Sequence, residues 1–363
     1  MVFLIMLEQR QDFTGWQGRG LVTWVTGNKS KTLYNDRQDF QAAWSRIIVE
    51  GGEVHMGKFI GNETHQYEVA EGWGRLPEGI AYGYTHGICV DAEDNVYVHH
   101  TNKHSVVVFD REGNFKYSFG DEFEGGAHGF YLHRDSDGIE YLYFTDTVRA
   151  LLVKTTLKGE VLLEVGQPDR PDLYDAERKY IPTDVCVAPN GDIYVSDGYG
   201  QYYVHQFTSA GDYVRSWGGR GSEAGKLLEP HGISVNLRGD DPELYVADRS
   251  NNRIQVFTLE GEHKRFINHN LDFPCSFYFF GDEIYLPDLH SRVTILDKND
   301  RLITHLGEDQ QAYKQAGWPN LPKSYYRADK VSSPHGVCVD SHGDVYIAEW
   351  IFDGRITKLI RQS

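Results

Sequence analysis

Ile181–Phe207 reads IPTDVCVAPNGDIYVSDGYGQYYVHQF, and Glu229–Phe257 reads EPHGISVNLRGDDPELYVADRSNNRIQVF. The two segments share one plan. A short opening (Pro182-Thr183-Asp184, then Pro230-His231-Gly232) leads into an alternating apolar strand, a turn, a second strand ending in Asp, and a third strand. Cues that recur at intervals of a few tens of residues define a repeat architecture, which governs every local assignment.

Working outward, the same plan recurs four more times. It opens at His86 (THGICV), His128 (AHGFYL), Cys275 (FPCSFYFF) and His335 (PHGVCV). Six openings give six repeats of short, alternating strands. The fold class is therefore all-β, a six-bladed β-propeller, in which radial repetition leaves only short sheet edges. The sixth repeat runs out of chain after its third strand, near Ile360. A strand from about residues 60–73 is expected to complete it, because an open ring would leave a bare edge. The propeller thus takes residues 51–363. Residues 1–50 lack the repeat and form an N-terminal extension. Within it, the spacing of Phe40, Ala43, Trp44, Ile47 and Ile48 predicts a helix over 36–50 with Asp36 as N-cap.

Composition sets the outer limits. The net charge of -17, with no basic stripe to offset it, argues against a nucleic-acid partner. The apolar run at MVFLIMLEQ is too short to span a bilayer and has no basic flank or small-residue cleavage site, so neither a membrane anchor nor a signal peptide is expected. Cytoplasmic is the default location. Of the four cysteines, Cys89, Cys186 and Cys338 occupy equivalent places in separate repeats, which suits buried free thiols better than disulfides.

The chemistry concentrates at the start of each inner strand. Around the ring that position holds His86, His128, Thr183, His231, Cys275 and His335. Imidazoles converging on one axis make a natural site for a divalent transition metal, zinc first. His128, His231 and His335 come from alternate repeats and form a threefold set with an open position for substrate. His86 is either a fourth ligand or a substrate contact. The second strands end at the same mouth in His100, Asp146, Asp197, Asp248, Asp288 and Glu349, where an acidic residue more simply ties down a neighbouring loop. Tyr199 and Arg249 follow two such ends directly. Beside a metal, Tyr199 is a candidate for moving a proton and Arg249 for holding an oxyanion.

The segments PTDVCVAPNGDIYVSDGYG, PHGISV, LYVADRSNNRIQVF and PHGVCVD…GDVYIAEW resemble NHL-repeat propellers. More closely, they resemble the peptidyl-α-hydroxyglycine α-amidating lyases and their bacterial relatives, over roughly residues 66–360. The resemblance implies zinc on His128, His231 and His335, with Tyr199 and Arg249 as catalytic residues. It also marks departures. Thr101 stands where the family has a second arginine, so substrate contact on that side falls to Thr101, Lys103 or His100, with Lys154 a further candidate cation. Gly336 replaces an acidic residue, which counts against the family's calcium site. His86 replaces a small residue. Gly200 and Val256 occupy places of the family's disulfide cysteines.

Function is therefore expected to be that of a metal-dependent lyase, with a hydrolase or lactonase as runner-up, acting at the channel mouth on a small polar substrate that is carbinolamide-like or sugar-derived. The alternatives are a non-catalytic NHL propeller binding a ligand or protein, and a four-histidine iron enzyme that activates oxygen.

Overall fold

The computed structural model describes the backbone at 20–26, 29–35, 47–50 and 53–56, and residues 57–362 in full. Two compact units divide at Phe59 and Ile60. In the first, Gly20–Thr26 pairs antiparallel with Lys29–Asn35, and Ile47–Glu50 with Glu53–Met56. The last part of the expected helix is therefore a strand, consistent with the β-branched run Ile47-Ile48-Val49, whose side chains suit a pleated surface. Residues 36–46 of that expectation lie outside the described residues.

The second unit is a six-bladed propeller with antiparallel neighbours in every blade. The inner strands are Thr85–Val90, Ala127–Arg134, Asp184–Val187, Pro230–Asn236, Tyr278–Phe280 and Pro334–Val339. Blade six takes its fourth strand from Gln66–Ala70, which pairs with Arg355–Arg361 in the register Lys358↔Ala70 to Arg361↔Tyr67. Phe59–Gly61 adds a fifth, edge strand to the same sheet. Among the described residues the regular structure is strands and four single-turn 3-10 segments.

Six hydrophobic clusters hold the ring, one in each gap between neighbouring blades. The twofold alternation of a strand explains why. In blade three, Val185, Val187, Ile193 and Val195 face blade two, while Cys186, Tyr194 and Val204 face blade four. Every second strand centres on a tyrosine (Tyr97, Tyr143, Tyr194, Tyr245, Tyr285 and Tyr346), each at most 2% exposed. Such a ring fills the wedge between blades while its hydroxyl finds a partner, as Tyr97 does on Asp91 and Tyr346 on Asp340, each at 3.0 Å. All four cysteines are buried free thiols.

Blade five departs from the sequence reading. Its inner ladder begins at Tyr278 and not at Cys275. The partner strand carries Pro287, which has no N–H to continue the ladder. Contact there is reduced to an isolated bridge between Pro274 and Asp288, with Cys275 N–H on the Pro287 carbonyl at 2.9 Å and Leu289 N–H on the Phe273 carbonyl at 3.0 Å.

Candidate metal centre at the propeller mouth

Four of the six inner strands open on His-Gly, and the glycines explain the geometry. A Cβ on Gly232 would sit 2.2 Å from the Cys275 carbonyl oxygen, and one on Gly336 would sit 2.7 Å from that of His86. Without a side chain there, neighbouring inner strands close to hydrogen-bonding range. His128, His231 and His335 then reach across the gap. His128 Nδ1 lies 2.6 Å from the Thr183 carbonyl, His231 Nδ1 lies 2.9 Å from that of Cys275, and His335 Nδ1 lies 2.9 Å from that of His86. A carbonyl can only accept, so each Nδ1 carries the proton and each Nε2 keeps its lone pair. Blades two, four and six supply these imidazoles, and blades three, five and one supply the carbonyls.

The ring centroids of His128, His231 and His335 are 4.8–5.2 Å apart. His86 joins them at 4.8 Å from His128 and 4.7 Å from His335. It lacks the cross-blade bond: its Nδ1 is buried with no hydrogen-bond partner among the described residues. The ligand atoms of His86, His128 and His335 fall within 4.8 Å of one another, as do those of His231, Cys275 and His335. Burial, reinforced by neighbouring positive charge, holds His128, His231 and His335 well below the usual imidazole range, and burial takes His86 down to about 4. All four are uncharged at neutral pH.

Tyr199 and Arg249 stand over this ring. The Tyr199 hydroxyl is 3.1 Å from both His128 Nε2 and His231 Nε2, and Arg249 Nη2 is 3.3 Å from it. One phenol proton serves one acceptor at a time, so the cluster holds more lone pairs than donors. Burial raises the Tyr199 pKa above an ordinary phenol, with Arg249 pulling the other way, so the hydroxyl is protonated at rest. Arg249 is buried in a 3-10 turn after the second strand of blade four, and its Nη2 donates to Glu229 Oε1 at 2.6 Å. Its Nε is buried without a partner among the described residues.

Glu229 and Cys275 belong to the site although the sequence reading assigned neither a role there. Glu229 precedes Pro-His-Gly with a positive φ of 60°, which turns its carboxylate back toward Arg249. Cys275 Sγ lies 3.8 Å from Arg249 Nη1, and burial pushes its thiol up to about 11.

His100, Thr101 and Lys103 sit elsewhere in the first blade. His100 Nδ1 accepts from the Gly83 and Asn102 N–H groups, and Thr101 Oγ1 accepts from Tyr84 N–H, so both fix the 81–84 segment. Lys103 is exposed. Among the described residues, none of the three shares a hydrogen bond or ring contact with the four histidines. Lys154 is bound to Asp135 at 2.8 Å. The acidic strand ends do tie down loops: Asp146 accepts from the Val148 and Arg149 N–H groups, and Asp248 from Leu228 N–H, Asn251 and Arg253. Behind the histidine ring the channel widens into a cavity of about 660 Å³ lined in part by Tyr131, Asp184, Arg238 and Phe277. Burial lifts the Asp184 carboxyl to about 7.

The NHL repeat model matches residues 227–257, the first three strands of blade four. Peptidyl-glycine alpha-amidating monooxygenase B of Xenopus laevis is 33% identical over 151 residues, covering 39% of this chain and 16% of that protein. Peptidyl-alpha-hydroxyglycine alpha-amidating lyase 1 of Drosophila melanogaster is 24% identical over 280 residues, covering 69% of this chain and 47% of that protein. The chain thus spans about a sixth of the first of these relatives and about half of the second. Among solved structures, a streptogramin B lyase superposes with a TM-score of 0.53 at 16% identity, covering 78% of this chain and 95% of that one. A gluconolactonase from Xanthomonas campestris gives 0.54 at 13% identity, covering 78% and 87%. At such identity these two share the fold.

Six repeats around one channel make this a six-bladed β-propeller, with an NHL repeat matched at blade four. Within that class the chain resembles the peptidyl-α-hydroxyglycine α-amidating lyases.

Proposed function

We propose that the protein is a metal-dependent lyase working at the histidine ring, on a small neutral substrate that is carbinolamide-like or sugar-derived. One observation carries the reading: three buried imidazoles are locked by cross-blade carbonyls into the tautomer that turns an uncharged Nε2 lone pair to the axis. A non-catalytic binding propeller has no use for that arrangement. The donor set fits a metal, because it is neutral, nitrogen-rich and short of protons.

His128, His231 and His335 would hold a divalent transition ion, zinc foremost, with His86 as a fourth ligand. Once bound, such an ion would polarise a substrate oxygen. The Tyr199 phenol, protonated at rest, delivers one proton to the reacting heteroatom and takes one back as the phenolate, and Arg249 Nη2 at 3.3 Å holds it beside the histidine ring. Arg249 is paired with Glu229, so it offers a substrate an N–H donor whose charge is already matched, suited to a neutral carbonyl or hydroxyl. With Thr101 committed to the Tyr84 backbone, that side offers no guanidinium for a substrate carboxylate. Both features favour a neutral substrate over a peptidyl-α-hydroxyglycine. Hydrolysis of a sugar lactone is the second reading, supported by the same neutral mouth. Four free buried thiols suit a reducing compartment.

The test is elemental analysis of protein purified without added metal, on wild type and His231→Ala, together with turnover of a peptidyl-α-hydroxyglycine by wild type and Thr101→Arg. About one equivalent of transition metal in wild type and its loss in His231→Ala are expected, with peptide turnover poor unless the arginine is restored. Full metal in the single alanine variants of His128, His231 and His335 would make the ring structural. Efficient wild-type turnover of the peptide, unimproved by the arginine, would overturn the substrate class.

A further inference from the structure

The connection from blade five to blade six covers residues 307–333, far longer than the few residues that ordinarily join neighbouring strands, and it lies on the mouth face. It is pinned there. Trp318 Nε1–H donates to the Ser332 carbonyl at 3.0 Å, and Asn320 links Tyr84 Oη at 2.9 Å to the Phe352 N–H at 2.6 Å. Pinning it assembles a wall of rings from five separate segments. Phe273 lies under the Arg249 guanidinium at 5.0 Å and stacks on His290 (4.9 Å, 7°), which stacks in turn on Tyr313 (4.3 Å, 13°). From His290 the contacts continue to Trp318 at 5.9 Å, Trp350 at 6.5 Å and Tyr84 at 5.6 Å. All six are half-buried, and Phe352 at the far end is 65% exposed. The blades are already sealed by the inter-blade clusters, so this surface is spare, and contiguous exposed aromatic surface marks a binding site.

Charge narrows the occupant. Carboxylates border the rings at Asp272, Glu308, Asp309 and Asp353, with Asp272 accepting from His290 Nδ1 at 2.7 Å. The nearby guanidiniums are committed, Arg249 to Glu229 and Arg292 to Asp288 and Glu308. The faces of Phe273, His290 and Tyr313 are taken up by one another, by Arg249 and by Lys314 Nζ at 5.2 Å from the Tyr313 ring, and Lys323 pairs with Asp353. A flat face edged by hydroxyls therefore has Trp318, Trp350 and Tyr84 to rest on and carboxylate acceptors beside them.

We propose that this wall is a subsite for a neutral hexopyranose ring, placing the sugar's distal portion while its reacting end lies beneath Tyr199 and Arg249. Which end reacts rests on the enzyme reading given above; binding of the sugar does not.

The test is saturation-transfer NMR, with tryptophan fluorescence, using methyl gluco-, galacto- and mannopyranosides, cellobiose, and N-acetylphenylalaninamide as the competing aromatic probe. Wild type should bind at least one sugar, and Trp318→Ala and Trp350→Ala should each weaken it about tenfold. Tyr84→Ala and Trp350→Phe, which leave the Trp318 anchor intact, serve as folded variants, with near-wild-type binding expected for Trp350→Phe. His231→Ala should bind sugar as wild type does, so a failed metal reading leaves this result standing. Binding of no sugar, unchanged binding in the Trp318→Ala/Trp350→Ala double variant, or preference for the aromatic amide would each overturn the proposal.

Discussion

Gly232→Ala adds a single methyl group where the structure has no room for one. An ideal Cβ would lie 2.2 Å from the Cys275 carbonyl oxygen and 2.7 Å from Ser276 Cα, both main-chain atoms that cannot swing aside. Restoring contact distances requires blades four and five to part by about 1 Å at the channel. The His231 Nδ1–Cys275 bond, now 2.9 Å, would then lengthen beyond hydrogen-bonding range. A lost hydrogen bond costs about 0.5–1.5 kcal/mol and overpacking about 1–3 kcal/mol, so a loss of about 2–4 kcal/mol is expected. At roughly 2–4 °C per kcal/mol for a chain of this size, Tm should fall by roughly 4–16 °C. Calorimetry and urea unfolding measure it. Gly281→Ala is the control: its φ is +55° but the space around it is open, so only the backbone strain of about 1–2 kcal/mol is expected. In a His231→Ala background the hydrogen-bond share should vanish, leaving the effects less than additive. A Gly232→Ala loss no larger than that of Gly281→Ala would refute the close approach and, with it, the tautomer argument.

Three further outcomes follow from the same geometry. Tyr199→Phe should keep its Tm and its metal content while turnover falls by about 10²–10⁴-fold; undiminished turnover would remove the tyrosine from proton transfer. Glu229→Gln leaves Arg249 without its carboxylate, which should cost about 1–3 kcal/mol in urea unfolding and admit carboxylate ligands that wild type rejects; unchanged anion binding would show that Arg249 was never neutralised. Asp184 titrates near 7 in the fold and near 4 in the unfolded chain, so the native state holds the extra proton and stability drains away as pH rises from about 4 to 7. Asp184→Asn should therefore gain on wild type in Tm across that window, and a constant difference at all pH values would count against the buried carboxyl.

The blades were legible in the sequence because each is local: strand, turn and strand lie within a few tens of residues, and the opening motif recurs in register. The four histidines were legible for the same reason, each falling at one position of the repeat. What escaped depends on neighbours that the repeat does not encode. His86 matches the other three by position, yet its Nδ1 finds no carbonyl across the blade gap. Glu229 becomes a partner of Arg249 only through a backbone turn with positive φ. The ladder in blade five starts late because of a proline on the facing strand. The aromatic wall brings together segments as distant as Tyr84 and Trp350, whose meeting depends on the ring being closed.

That closure sets the order in which the molecule can be made. Blades one to five can each fold as their own segments appear, but Gln66–Ala70 waits for Arg355–Arg361, some 285 residues later. At about 5–20 residues per second of synthesis, the early strand spends on the order of 15–60 s without its sheet. Throughout that interval blades one and six do not meet, and His335 cannot reach the His86 carbonyl. A ribosome paused before Arg355 should therefore carry a protease-sensitive segment at 66–70 and an unassembled histidine ring, both of which mature together when the seam is zipped.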